Sequence, residues 1–243
     1  MLTPTAGNGQ TEGELAEAAR SRPLHGAELL QAFAAASDHL TASARAIDAI
    51  NVYPVPDGDT GSNMAATLRE AVETALLTPD SRTVPWVLAA LAKGALYGAR
   101  GNSGVILSQA LRGLAAGVQG EHLDGNSLAE GLAEAASSAY RAVATPVEGT
   151  MLTVLRRAAE GALEAAGDGP CLPALQAALA AAEAAEAATI DQLPALREAG
   201  VTDSGGEGVC VILRGLLAAL LGAPPAAPSE AHGRPIAELA GHA

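Results

Sequence analysis

The sequence predicts an all-α domain, and three observations carry the prediction. Hydrophobic residues make up 49% of the 243 residues but aromatics only 2%. The core must therefore be built from Ala, Leu and Val; Ala favours helix, and the aromatic residues that favour strands are scarce. Apolar residues recur at three- and four-residue steps between clusters of Gly, Pro and Asn, which is the spacing of amphipathic helices. No segment alternates apolar and polar residues as a half-buried strand does. A chain of this length buries one substantial core, and short joints between helices favour a single domain over residues 25–222 rather than two.

Residues 1–24 are polar and rich in Gly and Ala, and are expected to be flexible apart from a short helix near Glu12–Arg20. Leu29, Leu30, Phe33, Ser37, Leu40, Ala44 and Ile47 then mark one face of a long helix. Pro54, Pro56, Gly58 and Gly61 break the pattern, and a second helix is expected from Thr60 or Gly61 to about Leu77. Thr83-Val84-Pro85 opens a third, with Pro in the first turn where its missing N–H costs nothing, and this helix ends near Gly98. The fourth should start at Asn102–Ser103 and run to about Val118. Ser127-Leu128-Ala129-Glu130 reads as a capping box for a fifth helix, which Pro146 stops at about Thr145. Helices over Gly149–Ala166, Leu172–Ala188, Gln192–Glu198 and Gly205–Leu221 complete the set. Residues 223–243, with Pro224, Pro225, Pro228 and Pro235, read as a loosely held tail.

The chain carries 27 acidic against 14 basic side chains, a net charge of -13. That balance weighs against gripping nucleic acid or anionic lipid through a general positive field. It leaves room for a local phosphate site made of backbone amides and metal. Cys171 and Cys210 are too few for a disulfide framework or a zinc site. The N-terminus lacks the basic region and apolar run of a leader, and the most apolar stretch, Gly208–Gly222, is short for a bilayer and interrupted by Arg214. A cytoplasmic protein with no membrane insertion and no nucleic-acid partner is expected. His25, His39 and His122 read as surface residues, and Glu183–Glu186 as a solvated helix face.

Chemistry concentrates at the joints. Asp57 and Asp59 stand two apart in Pro54-Val55-Pro56-Asp57-Gly58-Asp59-Thr60-Gly61-Ser62-Asn63, on a chain stiffened by Pro and freed by Gly. Two carboxylates turned to one point repel unless a hard cation lies between them. Mg²⁺ accepts one or two carboxylates and completes its octahedron with water and phosphate oxygens. The residues that follow open a helix whose exposed N–H groups favour anions. The alternative is that both aspartates only cap the helix and fill the turn. A calcium-binding loop is excluded by spacing, since Ser62 and Leu68 stand where Gly and Glu belong.

Gly98-Ala99-Arg100-Gly101-Asn102-Ser103-Gly104 precedes another apolar helix. Glycine lets the backbone approach a ligand, and Asn102 and Ser103 offer short donors at a positive helix end. An ordinary capped turn explains the segment equally well. Pro146-Val147-Glu148-Gly149-Thr150-Met151 and Asp203-Ser204-Gly205-Gly206-Glu207-Gly208 repeat the pattern. No Gly-x-x-x-x-Gly-Lys-Ser/Thr occurs, so an ordinary P-loop is absent. If alternate joints fall at one end of an up-and-down bundle, these four form a single polar crown.

The segment Asn51-Val52-Tyr53-Pro54-Val55-Pro56-Asp57-Gly58-Asp59-Thr60-Gly61-Ser62-Asn63-Met64 closely resembles the signature of the DhaL (DAK2) family. That family comprises the nucleotide-binding domain of dihydroxyacetone kinases and the N-terminal domain of bacterial fatty acid kinases. Gly94–Gln109, Pro146–Leu152 and Asp203–Gly206 resemble its remaining blocks in order, and the Pro-Val-Pro-Asp-Gly-Asp-Thr-Gly form is similar to that of fatty acid kinases.

The resemblance implies an eight-helix antiparallel up-and-down barrel that binds ATP with Mg²⁺ at one end, two ions being expected. It implies Asp57 and Asp59 as metal ligands, with Asn51 at the place of a third. Nucleotide contacts are implied for Thr60, Gly61, Ser62, Asn63, Gly101, Asn102, Ser103, Gly104, Thr150, Asp203, Ser204 and Gly205. Catalysis would rest on positioning, with Arg100 the one side chain offered for more. The fatty-acid-kinase likeness implies transfer of the γ-phosphoryl group to an acceptor presented by an acyl-carrying or other substrate-carrying partner protein. The ATP subunit of a dihydroxyacetone kinase and a nucleotide-binding module without turnover are the alternatives, and a homodimer is compatible with each.

Overall fold

The computed structural model describes residues 12–77 and 83–223. These form ten helices: α1 (Glu12–Ser21), α2 (Gly26–Ala49), α3 (Thr60–Leu76), α4 (Val84–Gly98), α5 (Gly101–Gly117), α6 (Gly125–Arg141), α7 (Met151–Glu164), α8 (Leu172–Gln192), α9 (Pro194–Ala199) and α10 (Ser204–Leu221). Among the described residues there is no strand, only isolated bridges pairing Leu24 with Leu123 and Asp124 with Pro170.

The eight long helices close into a ring. Each of α2 to α7 packs against the next in sequence, α8 packs against α10, and α10 returns to α2. Joints this short make successive helices antiparallel. The interior is filled from every wall, for example by Leu40, Leu68, Leu91, Leu107, Ala129, Val154, Leu175 and Val211. α10 is the one described helix long and apolar enough to cross a membrane, yet 67% of it is buried within the ring.

Small residues set the spacing of the walls. A Cβ added to Gly113 of α5 would lie 2.4 Å from the Glu134 carbonyl oxygen and 2.7 Å from Ala135 Cα, both backbone atoms of α6. Overpacking of this kind costs about 1–3 kcal/mol, and here no flexible side chain can yield. Gly113→Ala is therefore expected to lower the unfolding free energy by the upper part of that range, seen as a lower denaturant midpoint at an unchanged slope; a midpoint equal to the parent's would refute the close α5–α6 seam.

The far end of the ring is stitched by backbone. Leu24 and Leu123 exchange two N–H···O bonds of 2.9 Å, Val84 N donates to Glu121 O at 3.1 Å, and Asn126 N donates to Gly167 O at 3.0 Å. Glu28, almost wholly buried, accepts both guanidinium nitrogens of Arg22 and the backbone N–H of His25. Burial alone would raise its pKa, but these donors outweigh it and hold the carboxyl below the usual range.

The short helix expected near Glu12–Arg20 is α1, which buries Leu15, Ala16 and Ala19 and packs against α10; residues 1–11 lie outside the described residues. Several expectations are corrected. Asp124, not Ser127, caps α6, accepting from Ser127 N at 2.7 Å, because the Asp124–Pro170 bridge starts the helix earlier. α6 stops at Arg141, short of Thr145, and residues 142–150 are irregular; α8 continues to Gln192. His39 is buried between α2 and α10, where burial and then Arg214 hold its pKa down. Glu183 and Glu186 are no free solvated face: Arg214 reaches Glu183 at 2.7 Å, and Glu186 is buried. The tail from residue 224, with His232 and His242, lies outside the described residues.

Candidate functional site

The near end of the ring carries the joints α2–α3, α4–α5, α6–α7 and α8–α10, so the four polar joints of the sequence do converge. They enclose a cavity of about 420 Å³. Tyr53, Pro54 and Thr60 line it from the first joint, and Asn102, Ser103, Val105 and Ile106 from the second. Residues of 142–152 line it from the third, and Asp203, Ser204 and Gly205 from the fourth.

Helix N-termini expose N–H groups that attract anions, and at this end the chain answers most of them with its own carboxylates. At α3 the answer comes from α2: Asp48 accepts from Ser62 N at 3.0 Å and from Ser62 Oγ at 2.6 Å. Asp59, at the N-cap itself, makes no capping bond. At α7 and α10 one buried carboxylate serves both, since Asp203 accepts from Gly206 N at 2.8 Å and bonds the backbone of Gly205 and Met151. Burial pushes the Asp203 carboxyl up to about 6, with those backbone donors pulling against it. At α5, by contrast, the N-cap residue Arg100 supplies no side-chain cap, and Asn102 and Ser103 of the first turn face the cavity.

The other candidates sort by position. Gly61, Ser62, Asn63, Gly101 and Gly104 do not line the cavity but seat α3 against its neighbours. A Cβ on Gly61 would strike Ala44 O at 2.3 Å, and one on Gly104 would strike Thr67 Oγ1 at 2.4 Å. Gly101, at φ +59, sits against the Asn63 amide. Ser103 Oγ donates to Thr60 O at 3.4 Å across the same seam. Asp57 and Asp59 are exposed on the joint just before Thr60, and their carboxylates make no hydrogen bond or ion pair among the described residues, although the Asp59 carbonyl accepts from Asn63 N at 2.8 Å. Arg100 is exposed, its N–H donating to Thr67 Oγ1 at 3.3 Å, and its guanidinium meets no carboxylate among the described residues.

Asn51 does not fit the third-ligand role. Its Oδ1 accepts from Thr60 N and Thr60 Oγ1, and its Nδ2 donates to Val55 O at 2.9 Å. Both lone pairs of the amide oxygen are thus committed to the fold. Asn51→Ala is expected to cost about 2 kcal/mol of stability, as several buried hydrogen bonds go. Thermal unfolding checks this, and a variant of undiminished stability would return Asn51 to the metal.

Sequence reasoning missed two features. The apolar walls, chiefly Tyr53, Val105, Ile106, Val143 and Leu152, carry no signal that separates them from core. Glu148, passed over in its own motif, fixes the α6–α7 joint by accepting from Tyr140 OH at 2.7 Å, Thr153 Oγ1 at 2.6 Å and Arg156 at 3.1 Å. The Thr153 bond, ahead of Tyr140 and Arg156, holds its carboxyl below the usual range.

The sequence profile of the DAK2 domain matches residues 54–218. This chain belongs to the DAK2 domain family. Uncharacterised proteins of Staphylococcus saprophyticus and of Staphylococcus aureus strain USA300 are each 41% identical to this DAK2 domain over 191 residues, 76% of the chain and 34% of theirs. The chain thus spans about a third of the length of these relatives. Among solved structures, the dihydroxyacetone kinase of C. freundii is similar in its native form, with a TM-score of 0.59, and in complex with AMP-PNP and Mg²⁺, with a TM-score of 0.60. Both are 21% identical and cover 89% of this chain, against 38% and 37% of their own. At that identity the likeness establishes the all-α fold.

Proposed function

We propose that this DAK2 domain binds MgATP at the cavity end of the ring and transfers the γ-phosphoryl group to an acceptor presented by a partner protein, in the manner of a fatty acid kinase. One observation carries the reading: Asp57 and Asp59, whose carboxylates have no partner among the described residues, occur at the same end as the N-terminus of α5, whose N-cap Arg100 supplies no side-chain cap and whose first turn faces the cavity. The donor chemistry fits Mg²⁺, a hard cation that takes few protein oxygens and leaves the rest to water and phosphate. Among the described residues no three His, Cys, Asp or Glu side chains gather into a closed cage. Held by Asp57 and Asp59, Mg²⁺ would neutralise charge on the phosphate oxygens.

The remaining work falls to the chain. The α5 amides with Asn102 and Ser103 orient the phosphates, supplying donors that need no rearrangement as charge develops. Val105, Ile106, Val143 and Leu152 offer an apolar slot for the base and keep water out. An acceptor carboxylate is already ionised near neutral pH and needs no general base. The motif form Pro54–Gly61 favours a fatty-acid acceptor. The solved neighbour, a dihydroxyacetone kinase, supports dihydroxyacetone as the second reading.

Incubating the chain with γ-labelled ATP and Mg²⁺ tests this, using an oleate-loaded carrier protein, dihydroxyacetone, or no acceptor. Label is expected on the oleate arm. Label on dihydroxyacetone would establish the second reading, and tight MgATP binding with no transfer in any arm would make the domain a nucleotide-binding module.

A further inference from the structure

No Asp or Glu occurs between Asp80 and Glu121, although the chain holds 27 of them. That stretch is α4, α5 and their joint. In a protein of net charge -13, these two adjoining helices carry only Lys93, Arg100 and Arg112 as charged side chains, all exposed. None of the three pairs with a carboxylate among the described residues, nor do Arg20 and Arg45, whereas Arg22, Arg69, Arg141, Arg156, Arg157, Arg197 and Arg214 all do. The same wall exposes large apolar side chains: Leu96 is 58% exposed, Tyr97 77% and Val105 45%.

The spacing puts these residues on one outer surface. Leu96 and Tyr97 stand three and four residues after Lys93 on α4, and Val105 and Arg112 lie seven apart on α5, so each set shares one side of its helix. Apolar residues scattered singly are ordinary; apolar residues grouped inside a ring of one charge mark an interaction surface. The wall is also continuous with the site, because Val105 lines the cavity and Arg100 precedes the open N-terminus of α5.

We propose that the α4–α5 wall is the docking surface for the acceptor-presenting protein, and that this partner offers an acidic rim around an apolar centre. The inference rests on the phosphotransfer reading above. Charge complementarity selects the partner: a positive strip on a strongly negative body attracts an acidic protein and sets its orientation. A flat anionic bilayer fits worse, since the flanking helices α3 and α6 bring Glu70, Glu73 and Glu130 to the surface on either side. A protein docked here meets the cavity mouth over Val105, where its bound acceptor reaches the phosphate end.

Steady-state transfer from MgATP to the oleate-loaded carrier and to a dihydroxyacetone-binding kinase subunit tests the surface, comparing wild type with K93E/R112E and with L96S/Y97S. All four positions lie outside the binding machinery. For the carrier used by wild type, both variants are expected to raise KM at least tenfold, with kcat at saturating carrier and MgATP affinity unchanged. The wild-type KM should also rise with salt, and that dependence should be lost in K93E/R112E. KM values equal to wild type in both variants would overturn the surface while leaving the nucleotide reading intact, and so would equal transfer to free acceptor without any carrier. Wild type that binds MgATP but uses neither carrier would overturn it as well. Co-sedimentation with phosphatidylcholine–phosphatidylglycerol vesicles that K93E/R112E abolishes would reassign the wall to a membrane. Failure of wild type to bind MgATP at all would instead strike the phosphotransfer reading.

Discussion

Replacing Asp57 and Asp59 together by asparagine is expected to remove Mg²⁺-dependent ATP binding while leaving the thermal midpoint where it was. Both side chains are exposed and make no contact with the fold that a midpoint would register. Changing groups that merely orient a metal ligand costs 10–100-fold in metal affinity, so losing both ligands should cost at least roughly 100-fold in MgATP affinity. Titration calorimetry with and without Mg²⁺ reads the effect directly. Asp48→Ala is the contrasting control. That residue caps α3 through Ser62, so its loss should cost about 1 kcal/mol of stability, as for other N-caps. Unchanged titration heats in the double variant would end the metal assignment.

The second large effect is expected at Asp203. This carboxylate bonds backbone groups at the starts of both α7 and α10 from a buried position. Asp203→Ala strands those donors at about 1–3 kcal/mol for each unsatisfied group. The total is a large share of the roughly 5–15 kcal/mol that holds a typical domain together. The acidity adds a signature. Its pKa in the fold, about 6, lies above the ordinary 3.8. The folded state therefore favours the protonated form, and the contribution is full below pH 3.8 and lost as pH rises through about 6. Asp203→Asn cannot titrate. The stability of wild type relative to this variant should fall between pH 4 and 7 by up to about 3 kcal/mol, a two-unit shift at 1.36 kcal/mol each. Thermal melts of both proteins across that range decide it, and parallel curves would show that Asp203 keeps an ordinary acidity.

Helix number and order were legible because Ala- and Leu-rich faces with Pro and Gly punctuation leave the local pattern little freedom. Boundaries were less so. The capping box at Ser127 was locally sound, but the Asp124–Pro170 bridge, a contact across distant sequence, starts α6 earlier. His39 looked polar and therefore exposed; its burial follows from α10 packing on α2, with Gly215 of α10 leaving room beside His39 Cβ. At the site, the convergence of the four joints followed from the antiparallel order of the helices. What the residues could not reveal was the division of labour among their acids. Asp57, Asp59 and Asp203 all stand in turns rich in Gly with Ser or Thr, and Asp48 sits in an ordinary helical pattern; only the fold separates Asp48 and Asp203, spent on amides, from the two whose carboxylates have no partner among the described residues. The engagement of Asn51 with Thr60 is hidden on the same ground, since the two lie nine residues apart.

Closure of the ring has a topological consequence. Because α10 packs on α2 and Arg20 reaches the Leu221 carbonyl at 3.1 Å, the first and last long helices are neighbours like any other pair. The order in which the chain visits the walls is then arbitrary. A circular permutant that joins residue 221 to residue 26 through a short flexible linker and opens the backbone between α7 and α8 gives up α1 but keeps every pairing among the eight long helices and all four crown joints. Its new termini fall far from the cavity, on the side where a fused reporter would leave both nucleotide and partner unobstructed.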